Sequence, residues 1–455
     1  MLAVPGWSAL QRRFLERAEA RLAGKPLPAF SFESKNEAAL RLRAWGRFAR
    51  SFARAVAHRA PVRRTEVLVF TLAGKGAAGA RDAYFGALAE WLQGERVATV
   101  YLAAGAETSL PGTTERIPLE SYASAGDVLA AWREGGSAAL ACLPANPEHA
   151  ALARRLARQE IASGEAFMHA LMRRAFARML ATLRPRVLVY PFENRSWEKA
   201  LLAAARAAGV ERVVGYQHTS ITPRHLAFEQ GPGPVGPLPD RVITVGSITA
   251  QWLRERAPAL AGRITVGASL RRGAVAIPLP SAHGLLVAIS SSRDEALAMM
   301  ALVHAAAPAL RVPVVIRSHP TIPAADLYAR FDWPAHARLS DGGPLEQDLA
   351  AATMIAYSSS TVALEGMLHG RLPLYADIGD VPAADPLIGD CPAKSGAADG
   401  TGLAALVDAI CRMSAPDLDA RRGVAKRYAE EYLREPDAAR MHVVVAAILA
   451  GKAGA

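Results

Sequence analysis

Residues 355–366 read Ile355-Ala356-Tyr357-Ser358-Ser359-Ser360-Thr361-Val362-Ala363-Leu364-Glu365-Gly366. The stretch predicts an apolar strand, a run of hydroxyl residues and then a helix. Strand–turn–helix is the repeating unit of a parallel sheet, whose strands need crossover connections. A helix that opens on Ser and Thr presents unpaired backbone N–H groups and the positive end of its dipole, which favours an anion, most often phosphate. Upstream, Arg317-Ser318-His319-Pro320 ends another strand and brings a second donor toward the same turn.

Outward from this stretch the same unit recurs. The apolar runs at 284–290, 312–317, 354–357 and 372–375 predict one βα series, and those at 66–72, 96–102, 186–190, 210–216, 241–245 and 263–266 predict another. Two doubly wound parallel sheets follow, joined by the proline-bearing segment 271–283. The expected division is an N-terminal lobe over 1–270 with a helical extension, a C-terminal lobe over 271–425, and helices over 426–455 that pack back on the first lobe. A long helical segment is expected from about Pro147 to Leu183. Near the start, Trp45, Phe48, Phe52 and Val56 recur at helical spacing among Arg41, Arg43, Arg47, Arg50 and Arg54. That pattern fits a docked surface helix or a membrane-surface or acidic-acceptor contact.

The chain has 455 residues, enough for two cores, with 51% apolar and 21% charged residues. Its three cysteines lack metal-ligand spacing, so neither a disulfide scaffold nor a zinc site is expected. Net charge is +11, which favours anionic partners. No basic patch is interleaved with aromatics, so nucleic acid is not an expected partner. Residues 1–7 carry no signal-peptide h-region, and no apolar run reaches about twenty residues. The expected location is cytoplasmic, at most peripheral on a membrane.

Ligands of open parallel sheets bind beyond the carboxyl ends of the strands. Ser291, Ser292 and Arg293 follow one strand and suit a close backbone approach to phosphate, or a helix N-cap. Arg317, His319 and Pro320 follow the next. Ser358, Ser359, Ser360 and Thr361 form the phosphate cradle, with Glu365 one turn on, reaching a ribose or capping the helix. In the first half, Pro191-Phe192-Glu193-Asn194-Arg195-Ser196-Trp197-Glu198-Lys199 and Tyr216-Gln217-His218-Thr219-Ser220 follow strands. Glu193 suits a base or nucleophile, and His218 a general base near neutral pH. Asn194, Arg195, Gln217 and Arg224 suit an acceptor or a sugar carboxylate. A capped helix start with a Glu193–Arg195 pair is the structural alternative, and Glu198 and Lys199 are expected on a helix face. Gly74-Lys75-Gly76 lacks the ending of an ATPase phosphate loop, and Asp417-Leu418-Asp419 reads as a helix cap rather than a metal site.

Residues 344–375 resemble the donor half of GT-B glycosyltransferases. The His319-Pro320 pair and Ser358-Ser359-Ser360 resemble the HP and serine motifs of bacterial polysialyltransferases and related CMP-sugar enzymes. Bacterial β-Kdo transferases of capsule and O-antigen synthesis share that plan. The resemblance implies a GT-B fold, with two Rossmann-like domains, a cleft between them and a C-terminal crossing helix. It also implies that His319, Ser358, Ser359 and Ser360 hold a CMP moiety. The acidic-acidic-Gly motif of the polysialyltransferases has no counterpart evident here. The block around Glu193 and His218 resembles a family of surface-carbohydrate biosynthesis proteins. The expectation is a glycosyltransferase that takes Kdo or another nonulosonic acid from a CMP-sugar, without cofactor or metal, to a glycan or glycolipid acceptor. A CDP-glycerol-type polyol-phosphate transferase, a UDP-sugar enzyme and a non-catalytic nucleotide- or glycan-binding scaffold are the alternatives.

Overall fold

A computed structural model describes residues 37–57, 64–72, 82–92, 94–102, 116–137, 154, 157–158, 160–229, 236–272, 276–319, 322, 324–379 and 383–450. The first sheet has seven parallel strands in the order β3-β2-β1-β4-β5-β6-β7. They are β1 (Val67–Leu72), β2 (Val97–Leu102), β3 (Arg116–Pro118), β4 (Val187–Pro191), β5 (Arg212–Gln217), β6 (Arg241–Thr244) and β7 (Ile264–Val266). The second has six, in the order β10-β9-β8-β11-β12-β13. These are β8 (Leu285–Ala288), β9 (Val314–Arg317), β10 (Ala337–Leu339), β11 (Met354–Tyr357), β12 (Leu372–Ala376) and β13 (Ser395–Ala397). Both sheets are covered by helices, so the central strands are buried on both faces and read as unbroken apolar runs.

In each sheet the strand order reverses once, between β1 and β4 and between β8 and β11. Such a switch point opens a crevice at the carboxyl ends of the two strands. The serine-rich turns at 290–293 and 358–361 follow β8 and β11, and so flank the switch point of the second sheet. The loop at 192–195 follows β4, at the switch point of the first.

The chain crosses between the lobes twice, and the crossings are tied together. Tyr216 OH donates to Ala268 O (3.0 Å) and accepts from Leu270 N–H (2.8 Å). Ser269 N–H donates to Arg434 O (2.7 Å), and Arg272 Nη1 to Leu433 O (2.9 Å). Arg371 is fully buried, with no carboxylate partner among the described residues. Its guanidinium donates instead to the carbonyls of Leu349, Ile277, Pro278 and His369, pinning the linker to the second lobe. The last helix, Ala438–Leu449, returns to the first sheet. Met441, Val444 and Ile448 lie on one helical face and pack against Val67, Val189, Val214 and Ile243. The preceding helix, Ala415–Tyr432, ends against Gly246. A Cβ there would stand 2.2 Å from the carbonyl oxygens of Glu431 and Tyr432, so only glycine fits.

Some elements differ from expectation. The long helix spans Glu165–Leu183, because Gly164 adopts φ 75° against Ala44 and breaks it from residues 160–163. Strands β3, β10 and β13 were not foreseen. Each has three residues and lies at a sheet edge, where no continuous apolar run is needed. Of the first sixty residues, the helix Glu37–Ala57 is described. The Gly74 loop, Cys142 and Pro320 lie outside the described residues.

Candidate active site

The loop after β4 is shaped from below by Glu198. This side chain is fully buried rather than on an outer helix face, in the first turn of the helix Ser196–Ala207. Its Oε1 accepts from Glu193 N–H (2.9 Å) and Arg195 N–H (3.1 Å), and its Oε2 from Asn194 N–H (3.0 Å). Burial pushes its carboxyl up to about 8 against these donors. Asn194 takes the left-handed conformation, φ 58°, which an Asn tolerates, and its Nδ2 donates to Ala227 O (2.5 Å). Asn194 is therefore a turn-former. Gln217 is also inward-turned: its Nε2 donates to Thr219 O and its Oε1 is buried without a partner.

With the backbone held this way, Glu193 stands beyond β4. Its carboxylate pairs with Arg195 and lies 3.5 Å from His218 Nε2. His218 follows β5 and is buried edge-on against Tyr84, with ring centroids 4.7 Å apart. Burial pushes its imidazole down to about 4, although Glu193 pulls the other way. The ring is therefore neutral at pH 7. The depressed pKa weakens the neutral imidazole as a proton acceptor at neutral pH, where His218 was expected to act as general base. Glu193 is the more accessible of the two, and neutral His218 lies beside its carboxylate. The Glu193–Arg195 pair foreseen as the structural alternative does form, but Arg195 is exposed, so the pair is weak and open to exchange with a ligand.

The β5 loop continues to the opposite wall. Arg224 Nη1 donates to Glu295 Oε1 (2.5 Å) in the helix Arg293–Ala306 of the second lobe, and both side chains are largely buried. Glu295 Oε2 accepts from Ser290 Oγ (2.5 Å) and Ser359 Oγ (3.2 Å). One carboxylate thus ties the two serine turns together across the β8–β11 switch point and joins them to the first lobe. Arg224 is engaged here rather than turned to an acceptor.

Of the serine run, Ser358 Oγ is buried without a hydrogen-bond partner, Ser359 is held by Glu295, and Ser360 Oγ accepts from Val362 N–H (3.4 Å). The helix starts at Val362, directly after the hydroxyl run, with Thr361 exposed at its N-cap and making no side-chain cap. Ser291 is exposed. Ser292 caps the next helix without a side-chain bond, its N–H donating to Ser290 Oγ (3.1 Å). His319 is partly buried, which lowers its pKa. Glu365 is exposed to solvent yet crowded on most sides, and this desolvation raises its carboxyl, as suits the floor of a cleft.

Two expected phosphate cations are engaged elsewhere. Arg317 pairs with Asp348 (2.5 Å) and donates to Gly343 O (2.9 Å), and Arg293 reaches Asp326 (2.5 Å) on the surface. A different cation faces the cleft. Arg271, on the first crossing, is exposed and has no hydrogen-bond or ion-pair partner among the described residues. Its charge acts on Tyr84 and His218 of one lobe and on Glu365 of the other, holding back the rise that burial causes in Tyr84 and Glu365. Arg271, Tyr84 and Glu295 are the residues that sequence reasoning missed. The first two carry no local signal. Glu295 stands three residues after Ser292, a capping-box spacing that conceals its longer-range role.

Among the described residues no cluster of His, Cys, Asp or Glu is placed to hold a metal ion, and no helix is long and apolar enough to cross a membrane. A recess of about 260 Å³ opens at the opposite end of the first sheet, between Glu66, Arg186, Glu211 and Leu449. It is remote from both switch points.

No protein-family model and no curated protein matches the chain. Solved structures do. The chain is similar to CalG4, the calicheamicin glycosyltransferase, at 16% identity over 86% of this chain and 100% of that one, with a TM-score of 0.51. It is also similar to a Listeria monocytogenes protein assigned as a UDP-N-acetylglucosamine 2-epimerase, at 12% identity over 84% and 96%, with a TM-score of 0.50. The fold is therefore GT-B: two α/β lobes, a cleft and a crossing C-terminal helix. One of these neighbours is named for sugar transfer and the other for epimerisation, so the fold by itself selects no reaction.

Proposed function

We propose that this chain is a glycosyltransferase that moves an acidic sugar, Kdo or another nonulosonic acid, from a CMP-sugar to a surface-glycan or glycolipid acceptor at the cytoplasmic face of a membrane. The observation that carries the reading is that Glu193 and His218 stand on one wall of a cleft whose other wall is the pair of serine turns, the two joined by Arg224 and Glu295. The acceptor hydroxyl gives its proton to Glu193, its oxygen forms the new bond to the anomeric carbon, and the bond to the phosphate oxygen breaks with its electrons going to phosphate. His218 and Arg195 hold the Glu193 carboxylate. Ser358, His319 and Arg271 receive the phosphate and the sugar carboxylate.

With Arg293 and Arg317 each engaged by an aspartate, Arg271 is the unengaged guanidinium that faces the cleft among the described residues. A CMP-nonulosonic acid, with one phosphate and one carboxylate, and a UDP-sugar, with two phosphates, carry the same charge, so nucleotide binding and not charge selects the donor. The reading needs neither cofactor nor metal. Thermal melts with CMP, CDP, UDP and GDP test it. A ligand at about a hundred times its Kd adds about 2.7 kcal/mol to apparent stability. CMP is expected to stabilise most. Preference for UDP or GDP overturns the donor, preference for CDP points to polyol-phosphate transfer, and indifference to all four removes the transferase reading. Glu193→Gln is expected to keep CMP stabilisation and abolish transfer. Full transfer by that variant overturns the role of Glu193.

A further inference from the structure

The helix Glu37–Ala57 is apolar on two sides. Its inner side, Leu40, Ala44 and Ser51 with Phe48 and Phe52 beside them, packs on the first lobe, and Arg47 turns inward to Glu165. The outer side carries a second stripe. Leu42 is 75% exposed, Trp45 57% and Val56 62%, with Ala49 and Ala53 exposed between them. Positions 42, 45, 49, 53 and 56 follow one helical face over the whole element. The stripe continues sideways: Trp45 lies against Trp132 (ring centroids 5.0 Å apart), and Leu129, one turn before Trp132, is 44% exposed.

Arginines border this stripe. Arg43 and Arg50 are exposed along one edge and Arg41 lies along the other, while the helix has no acidic residue after Glu37. An ordinary solvated helix face mixes the two signs of charge and keeps large apolar side chains inside. A face with Trp and Leu at its centre, arginines at its margins and no acid matches the interface of a bilayer with anionic headgroups: the apolar stripe enters the acyl boundary and the guanidiniums meet phosphate. We infer that this face docks the protein on an anionic lipid surface. The inference deepens the membrane location proposed above, but its test reads binding and not transfer.

Flotation with vesicles of phosphatidylcholine, with and without phosphatidylglycerol, tests it on the full chain. Wild-type protein is expected to float with the anionic vesicles only and to be released by about 0.5 M salt. Arg43→Ser with Arg50→Ser is expected to weaken binding about thirtyfold. Leu42→Asp with Val56→Asp is expected to abolish flotation. All four positions are exposed, so both double variants should melt like wild type and keep CMP stabilisation. The inference is overturned if wild type ignores anionic vesicles, if both variants float like wild type, if a soluble acidic polysaccharide binds this face while vesicles do not, or if the face pairs two copies of the chain. Failure of flotation with CMP stabilisation retained removes the docking surface and leaves the transferase; floating protein that ignores all nucleotides does the reverse.

Discussion

Each lobe holds its switch-point loop with a buried carboxylate, but the two are satisfied differently. Glu198 in the first lobe receives three backbone N–H groups from the loop it shapes, all within five residues. Glu295 in the second receives two hydroxyls from its own lobe and a guanidinium from the other. The first loop is therefore complete in itself. The second is tied within its own lobe and to the other lobe as well, so Glu295, unlike Glu198, couples its turns across the cleft.

The largest effect expected from breaking this comparison is at Glu198. Glu198→Ala leaves three N–H donors unsatisfied in a fully buried site and opens a cavity, a loss of about 4 kcal/mol by chemical denaturation at pH 7. Glu198→Gln sharpens the point. The folded-state pKa of Glu198 is raised to about 8 from the ordinary 4.5, so the stability it contributes is present below pH 4.5 and lost as pH rises through 8. The Gln variant imitates the protonated form. It should lack the decline that wild type shows between pH 4.5 and 8. A wild-type profile flat over that range would mean that the three N–H groups keep the carboxylate ionised.

His218 gives the opposite slope. Its folded-state pKa is depressed to about 4 from 6.5, so the unfolded chain binds more protons between these values. Its contribution is complete above pH 6.5 and lost as pH falls through 4, about 3 kcal/mol for a side chain this buried. His218→Gln should flatten that acid limb in denaturation curves taken at successive pH values. An unchanged limb would place the acid sensitivity on other groups.

Much of the architecture is legible because burial on both sheet faces writes itself as continuous apolar runs. Val187–Pro191, Leu285–Ala288 and Met354–Tyr357 are visible for that reason. The three-residue edge strands β3, β10 and β13 are not, although β7, equally short and also at an edge, is visible as an apolar run. At the site, polar residues directly after strands stand out, and the structure puts Glu193, His218 and the serines at strand ends. What holds them was hidden. The local pattern around Glu198 reads equally as a helix face or as a helix start. Glu295 finds Arg224 71 residues away in the other lobe, and no periodicity encodes such a pair. A separation of 31 residues likewise hid the engagement of Arg317 by Asp348.

Arg224 carries the next effect. Removing one partner of a buried ion pair costs about 3–5 kcal/mol when water stays out. Here the lobes can separate and rehydrate Glu295, so Arg224→Met should lower stability by only about 2 kcal/mol and appear chiefly as opening. Small-angle scattering should show a larger radius of gyration, and CMP stabilisation should weaken. Combining it with Glu295→Met, which removes the stranded charge, should recover stability but not nucleotide binding, because the serine turns lose their tie. Full recovery of both would mean that the turns keep their shape without the cross-lobe carboxylate.

The smallest effect on stability is expected at Ser358. Its hydroxyl is buried with no partner, and a polar group in that condition is a cost to the unliganded fold. Ser358→Ala should therefore leave stability within about 0.5 kcal/mol of wild type, or raise it slightly. On the proposed reading, the phosphate of the bound nucleotide supplies the missing partner. Losing one hydrogen bond to a charged oxygen should weaken CMP about tenfold, at roughly 1.5 kcal/mol. Isothermal titration of both proteins separates the readings. If Ser358→Ala binds CMP as tightly as wild type, the unpaired hydroxyl is a packing defect of the β11 turn, and the phosphate is held by Arg271 and His319 without it.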